Sequence, residues 1–140
     1  WNDGWKIAGR PDKFVIETIG PFRFIDIYDY KTNGKIEKVS YQDHEGNYKM
    51  MLAPVQHLMD SKWNEYAIQL SFYTYMLEAA GFTPRKRQLI HIPHPIDVAG
   101  VEVQPADMVY PLPYLKNEVL DILNHHNKKR KVALYEPKTK

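Results

Sequence analysis

Two residues at the end of one predicted strand have the types and spacing that could contribute to a metal site for phosphodiester hydrolysis. Asp29 and Lys31 are separated by a single residue and close the run FRFIDIYDYK (22–31), whose apolar and aromatic density predicts a strand. Side chains at positions i and i+2 of a strand share a face, so this carboxylate and this ammonium are expected to lie side by side. The spacing fits either a surface ion pair or the beginning of an active site.

A metal site needs a further ligand, and Asp12 is the candidate. It lies in the predicted turn between two strands, and neighbouring strands are only about 4.8 Å apart. Mg²⁺ takes hard oxygen ligands and is commonly held by one or two carboxylates, with waters completing the shell. We expect Asp12 and Asp29 to bind Mg²⁺ or Mn²⁺, with the backbone carbonyl of Tyr30 as a further ligand. Lys31 would position the attacking hydroxide or offset the charge that develops at phosphorus.

The pattern acid-x-Lys has little value without its context, because it occurs three times in the chain. The second copy, Asp60 with Lys62, lies at a predicted helix start. The third, Glu136 with Lys138, lies in a proline-containing segment. Only the copy at 29–31 lies on a strand that can hold both side chains rigidly, so only this copy is interpreted as a site.

The elements that must position these residues begin with strands. Gly-Pro turn signals separate predicted strands, and Asn33-Gly34 predicts a tight turn. No clear period follows until residue 60, which favours a long loop. The predicted strands are 5–9, 13–18, 22–31 and, after the tight turn, 35–39.

From residue 62 to 80 the apolar residues recur at spacings of three and four, which predicts a helix that Asp60 or Ser61 caps and Gly81 ends. A strand at 87–92 follows. After a proline-rich loop, a second amphipathic pattern begins at Leu112 and runs into a basic tail at 128–140. This order predicts one α/β domain over residues 1–140, with a mixed central β-sheet flanked by α-helices.

Three short motifs resemble those of a known family. GRPD (9–12), DYK (29–31) and QLSFY (69–73) are similar to the successive motifs of the RecB-like branch of the PD-(D/E)XK nuclease superfamily, and the resemblance covers roughly residues 5 to 92. It implies a restriction-endonuclease-like core and metal-dependent cleavage of DNA, as an exonuclease or an end-processing enzyme.

The resemblance also assigns roles to individual residues. Asp12 and Asp29 would hold the metal and Lys31 would be the catalytic lysine. Gln69 and Tyr73 would help to position the active site or contact DNA. These last two residues are four apart on the predicted helix and therefore share a face.

One part of the family pattern has no counterpart in this sequence. Such nucleases usually carry an additional acid or a histidine on a helix before the first strand, whereas only WNDG precedes Trp5. We therefore interpret the sequence as an N-terminally truncated fragment. The alternative is a catalytically inactive protein of the same fold that binds nucleic acid or a protein partner through the basic segments PRKR (84–87) and KKRK (128–131).

The composition and the missing motifs argue against several other classes of protein. The formal net charge of +2 does not by itself indicate nucleic acid, and the lack of cysteine excludes disulfide scaffolds, thiol catalysis and Cys-ligated metal centres. No apolar stretch reaches the roughly 20 residues that span a bilayer, and no signal peptide is recognised, so no membrane association and an intracellular, cytoplasmic location are expected. Without a Gly-rich phosphate loop or a Gly-x-Ser-x-Gly motif, neither ATP binding nor serine-hydrolase chemistry is expected.

Overall fold

The computed structural model describes residues 8–32 and 34–135, without the side chains of 129–135. Six strands and two helices occur in this part of the chain. In chain order they are β1 (Lys13–Ile19), β2 (Phe22–Lys31), α1 (Lys62–Ala79), β3 (Thr83–His91), β4 (Ile96–Val98), β5 (Val101–Val103), β6 (Met108–Pro111) and α2 (Lys116–Tyr135).

Four of the strands form a mixed sheet in the order β1-β2-β3-β6. β1 is antiparallel to β2, β2 is parallel to β3, and β3 is antiparallel to β6. Parallel neighbours require a crossover connection, which here contains α1. The predicted α/β class with a mixed sheet and two helices is therefore confirmed.

β1 and β2 form a hairpin around a two-residue turn. Gly20 lies in this turn with φ of 57°, a conformation that costs glycine little. The hairpin pairs Ile19 with Phe22 at one end and Lys13 with Tyr28 at the other. β1 is an edge strand in which every residue is exposed, whereas β2 is buried over much of its length.

The core lies between the sheet and α1. Ile25 and Ile27 of β2 alternate on the face that packs against α1, where they meet Leu70 and, from β3, Leu89. Ser61 caps α1 by accepting a hydrogen bond from the Asn64 N–H at 3.3 Å, as one of the two predicted caps. This packing fixes one face of α1 against the end of β2.

A buried serine connects the two helices. Ser71 of α1 accepts a hydrogen bond from the backbone N–H of Leu115 at 2.9 Å, directly before α2 begins. α2 starts at Lys116, later than the apolar pattern suggests, and Pro113 disfavours helical backbone at Leu112, where that pattern begins. The helix then continues through 128–135, the first part of the predicted basic tail, while 136–140 lie outside the described residues. Neither of the helices described in 8–32 and 34–135 combines the length and the apolar character needed to cross a membrane.

Several predicted elements differ from the structure. The strand predicted at 35–39 is absent, since this segment has no regular structure and its Ile36 packs on the core instead. The strand predicted at 87–92 begins earlier, at Thr83, because pairing with β2 already starts there. The proline-rich loop contains β4, β5 and β6, which the sequence did not predict. Of the strand predicted at 5–9, residues 5–7 lie outside the described residues, as does Asn33 of the predicted turn.

Candidate metal centre

The site is built at the carboxyl end of β2. Asp29 and Lys31 continue the alternation of Ile25 and Ile27, so both side chains lie on the face that packs against α1. Lys31 Nζ lies 2.8 Å from Asp29 Oδ2, and Asp29 is only 3% exposed. The pair is therefore a largely buried ion pair rather than a solvated surface contact.

The β1–β2 hairpin brings Asp12 to the same place. The register pairs Lys13 with Tyr28, so one further step along both strands sets Asp12 opposite Asp29. Asp12 Oδ2 accepts a hydrogen bond from the backbone N–H of Tyr30 at 2.9 Å, which fixes its carboxylate. In an antiparallel ladder the N–H and the carbonyl of one residue face the same edge, so the Tyr30 carbonyl also faces the Asp12 side.

The two carboxyl groups interact closely enough to change each other's protonation. A side-chain hydrogen bond with Asp29 lowers the pKa of Asp12, and the Tyr30 N–H lowers it further. Burial raises the pKa of Asp29, and the hydrogen bond with Asp12 adds to this increase. A carboxyl group that is buried beside a second carboxylate is harder to ionise, which accounts for the direction of the change at Asp29.

The oxygen of Asp29 that faces Lys31 is the candidate ligand for a cation. Asp29 Oδ2 is buried and accepts no hydrogen bond of acceptable geometry from any described residue, although Lys31 Nζ lies at 2.8 Å. A buried carboxylate oxygen without a hydrogen bond is energetically costly. Together with the Asp12 carboxylate it supplies the hard oxygen donors that Mg²⁺ and Mn²⁺ prefer, so the residues present fit such an ion.

Helix α1 supplies the remaining predicted residues. Gln69 Oε1 accepts a hydrogen bond from Lys31 Nζ at 3.3 Å, and Gln69 Nε2 donates to the Tyr73 hydroxyl at 3.0 Å. Asp12, Asp29, Lys31, Gln69 and Tyr73 therefore form one connected chain of contacts. The structure brings all five predicted side chains together.

Two further residues shape the site. Gly9 lies so close to Tyr73 that a Cβ at this position would be 2.4 Å from Tyr73 Cε1. The sequence places Gly9 at the end of a predicted strand and in the GRPD motif but does not predict this contact. The ring of Tyr66, whose centroid is 4.5 Å from Lys31 Nζ, was treated only as part of the apolar stripe of α1. Its position three residues before Gln69, on the same helix face, was a signal that could have identified it.

Other titratable residues near the strand ends have different roles. Asp26 lies on the opposite face of β2 and accepts hydrogen bonds from the Arg85 guanidinium at 2.9 and 2.8 Å, so it has a structural role away from the site. His91 is buried and opposite Lys31 in the β2–β3 register. Among the described side chains, no group of three or more His, Asp or Glu residues is arranged to hold a metal.

Two neighbouring carboxyl groups, an ammonium beside them and an amide that orients the ammonium can bind a divalent cation and a phosphate oxygen at one place. No family model, curated protein or solved structure matches the chain, so its assignment depends on this geometry and on the motifs that carry it.

Proposed function

We propose that this chain is a metal-dependent nuclease that hydrolyses phosphodiester bonds of DNA. The observation that carries the proposal is the convergence of the Asp12 and Asp29 carboxyl groups beside the Lys31 ammonium. Asp12 and Asp29 are the residues that would hold Mg²⁺ or Mn²⁺, and the Tyr30 carbonyl is a candidate third protein ligand.

Each residue then has a chemical role. When bound, the metal ion supplies polarisation of the phosphate and a more acidic water. Lys31 holds a positive charge at a fixed point, where it offsets the negative charge that develops at phosphorus or orients the attacking hydroxide. Gln69 fixes the Lys31 ammonium through its Oε1 atom, and Tyr73 fixes the Gln69 amide in turn.

The finer parts of the proposal are supported by motif order. GRPD, DYK and QLSFY follow each other along the chain at a strand start, a strand end and a helix, as in the RecB-like branch of the PD-(D/E)XK nucleases. On this basis we propose a restriction-endonuclease-like core and action at DNA ends, as an exonuclease or end-processing enzyme.

The proposal is tested by incubating the purified chain with linear and closed circular DNA in the presence of Mn²⁺. We expect degradation of the linear DNA only, and losses of at least 100-fold for Asp12→Ala, Asp29→Ala and Lys31→Ala. Lys62→Ala is the matched control, since it removes the lysine of another acid-x-Lys pattern at an exposed position. A wild-type chain that neither binds Mn²⁺ nor cuts DNA, or a Lys31→Ala variant as active as Lys62→Ala, would contradict the proposal.

A second candidate, a catalytically inactive nucleic-acid-binding protein of the same fold, is favoured by a different observation. Arg85, Lys86 and Arg87 line a cavity of about 270 Å³ beside the end of β6. This candidate requires no metal. It predicts DNA binding that is unaffected by EDTA, that weakens with salt, and that falls when Lys86 is replaced by glutamine.

A further inference from the structure

The ring of Tyr66 forms one wall around the Lys31 ammonium. Its centroid lies 4.5 Å from Lys31 Nζ, within the distance at which the negative face of an aromatic ring attracts a cation. We propose that Tyr66 is a positioning residue that holds the Lys31 ammonium in the site through the electron density of its ring. Its effect on catalysis rests on the proposed nuclease function, whereas the contact itself can be tested without it.

The ring is buried in the core. Tyr66 is 7% exposed and belongs to the core cluster with Ile25, Ile27 and Leu70. Only about a fifth of the Lys31 side chain is exposed, so little water separates the two groups. A cation interacts more strongly with a ring from which water is excluded.

Unlike the Asp29 contact, the Tyr66 ring contact with Lys31 does not depend on a carboxylate that a metal ion would also bind. In the structure, the charge of Lys31 is balanced by Asp29 at 2.8 Å. A divalent cation held by the same carboxylate would compete for it and repel the ammonium. The Gln69 amide and the Tyr66 ring are uncharged, so a divalent cation competes with Lys31 for them much less than for Asp29. They can therefore keep Lys31 in place while Asp29 binds the divalent cation.

A simple truncation of Tyr66 would not separate this role from packing, because the ring also fills the core. A series of phenylalanine analogues with none, one, two and three ring fluorines nearly preserves the shape while each fluorine weakens the negative face of the ring. Phenylalanine itself is the reference, so any contact of the Tyr66 hydroxyl drops out of the comparison.

Two readouts are followed across this series at position 66. The first is NMR of the metal-free protein, in which the Lys31 ammonium protons should exchange faster with water at each added fluorine. The second is DNA cleavage, in which kcat should fall stepwise to about a tenth of the phenylalanine value with three fluorines, while KM changes little. Tyr66→Leu should abolish the ring-current shift of the Lys31 ε-methylene protons, and Tyr66→Phe should preserve it.

Tyr110 offers a matched control. Its ring also packs against the core, with its centroid 5.6 Å from that of Trp63, and no described cation lies over it. The same fluorinated series at position 110 should leave Lys31 exchange and kcat unchanged.

Ammonium exchange that is independent of fluorination at position 66 would overturn the proposed contact. Exchange that responds while kcat stays flat would overturn the effect on catalysis. If the wild type cuts no DNA, the nuclease proposal fails, and the exchange series alone then decides whether Tyr66 holds Lys31.

Discussion

At the scale of single residues, the two carboxyl groups of the site differ in protonation although they are neighbours. Asp29 is buried and its pKa is raised, while Asp12 accepts hydrogen bonds and its pKa is lowered. An acid whose pKa is higher in the folded state than its unfolded value of 3.8 destabilises the fold once it ionises. At neutral pH, the ionised Asp29 therefore lowers the free energy of unfolding.

Replacement of Asp29 by asparagine should expose this cost. In EDTA we expect Asp29→Asn to have a higher melting temperature than the wild type at pH 7. The advantage should appear as the pH rises through the raised pKa of Asp29 and should vanish below pH 3.8, where the wild-type carboxyl is protonated in both states. Thermal unfolding followed by circular dichroism from pH 3 to 7 measures the difference.

Asp26→Asn is the control with the opposite sign. The Arg85 hydrogen bonds lower the pKa of Asp26, so its ionised form stabilises the fold above pH 3.8 and this contribution is lost as the pH falls through the lowered pKa. Asp26→Asn should therefore lower the melting temperature at pH 7. Equal shifts of both variants in the same direction would show that the structure assigns these two environments incorrectly.

The sequence predicted which residues meet but not their protonation. Asp29 and Lys31 share a face because strand alternation is a local property, and the turn between β1 and β2 brings Asp12 opposite Asp29. The burial that raises the pKa of Asp29 depends on α1, which packs over it from a distant part of the chain. The contact of Tyr66 with Lys31 has the same origin and was missed for the same reason.

At the scale of elements, α1 and the segment before β1 touch at a point where no side chain fits. A Cβ at Gly9 would lie 2.4 Å from the Tyr73 ring, so the ring has to move if the residue is larger. The Tyr73 hydroxyl would then leave the Gln69 amide, on which the orientation of Lys31 depends.

We therefore expect Gly9→Ala to lower the proposed nuclease activity and to reduce the free energy of unfolding by about 1–3 kcal/mol, as overpacking does. Urea denaturation and DNA cleavage are the measurements. Gly34→Ala is the control, since a Cβ at Gly34 meets His94 only at an ordinary 3.8 Å. Full activity of Gly9→Ala would mean that the position of the Tyr73 ring does not matter for the site.

Strands and helices with a clear repeat of apolar residues were predicted well, whereas the short strands were not. β2 and α1 begin where the sequence places them, because a ten-residue apolar strand and an 18-residue helix with a serine cap leave clear patterns. β4, β5 and β6 have three or four residues each, too few to show alternation. The strand predicted at 35–39 was wrong because β propensity alone cannot show that a sheet position is available.

At the scale of the whole molecule, the site connects segments that are far apart in the chain. Asp12 comes from the edge of the sheet, Asp29 and Lys31 from its interior, and Gln69 from the helix. A ligand that binds Asp12 and Asp29 together should therefore stabilise the whole fold, since it binds only when both residues are in place.

Mn²⁺ at 100 times its Kd should raise the free energy of unfolding by about 2.7 kcal/mol. The gain should shrink at acidic pH, because Asp29 has a raised pKa and must lose its proton to bind the ion. Urea denaturation with Mn²⁺ or EDTA at pH 5 and pH 7 provides the comparison. Stabilisation that persists in a variant with both Asp12→Ala and Asp29→Ala would place the ion elsewhere.

The edge position of β1 affects how often this strand opens. All seven of its residues are exposed and only β2 holds it, so the strand that follows Asp12 should open more often than β2. Its amides should exchange with deuterium faster than those of β2, and Mn²⁺ should slow them selectively. Equal slowing in every strand would instead indicate that the hairpin opens only with the whole fold. If Mn²⁺ slows exchange in β1 selectively, the lifetime of the closed hairpin depends on whether the ion is bound.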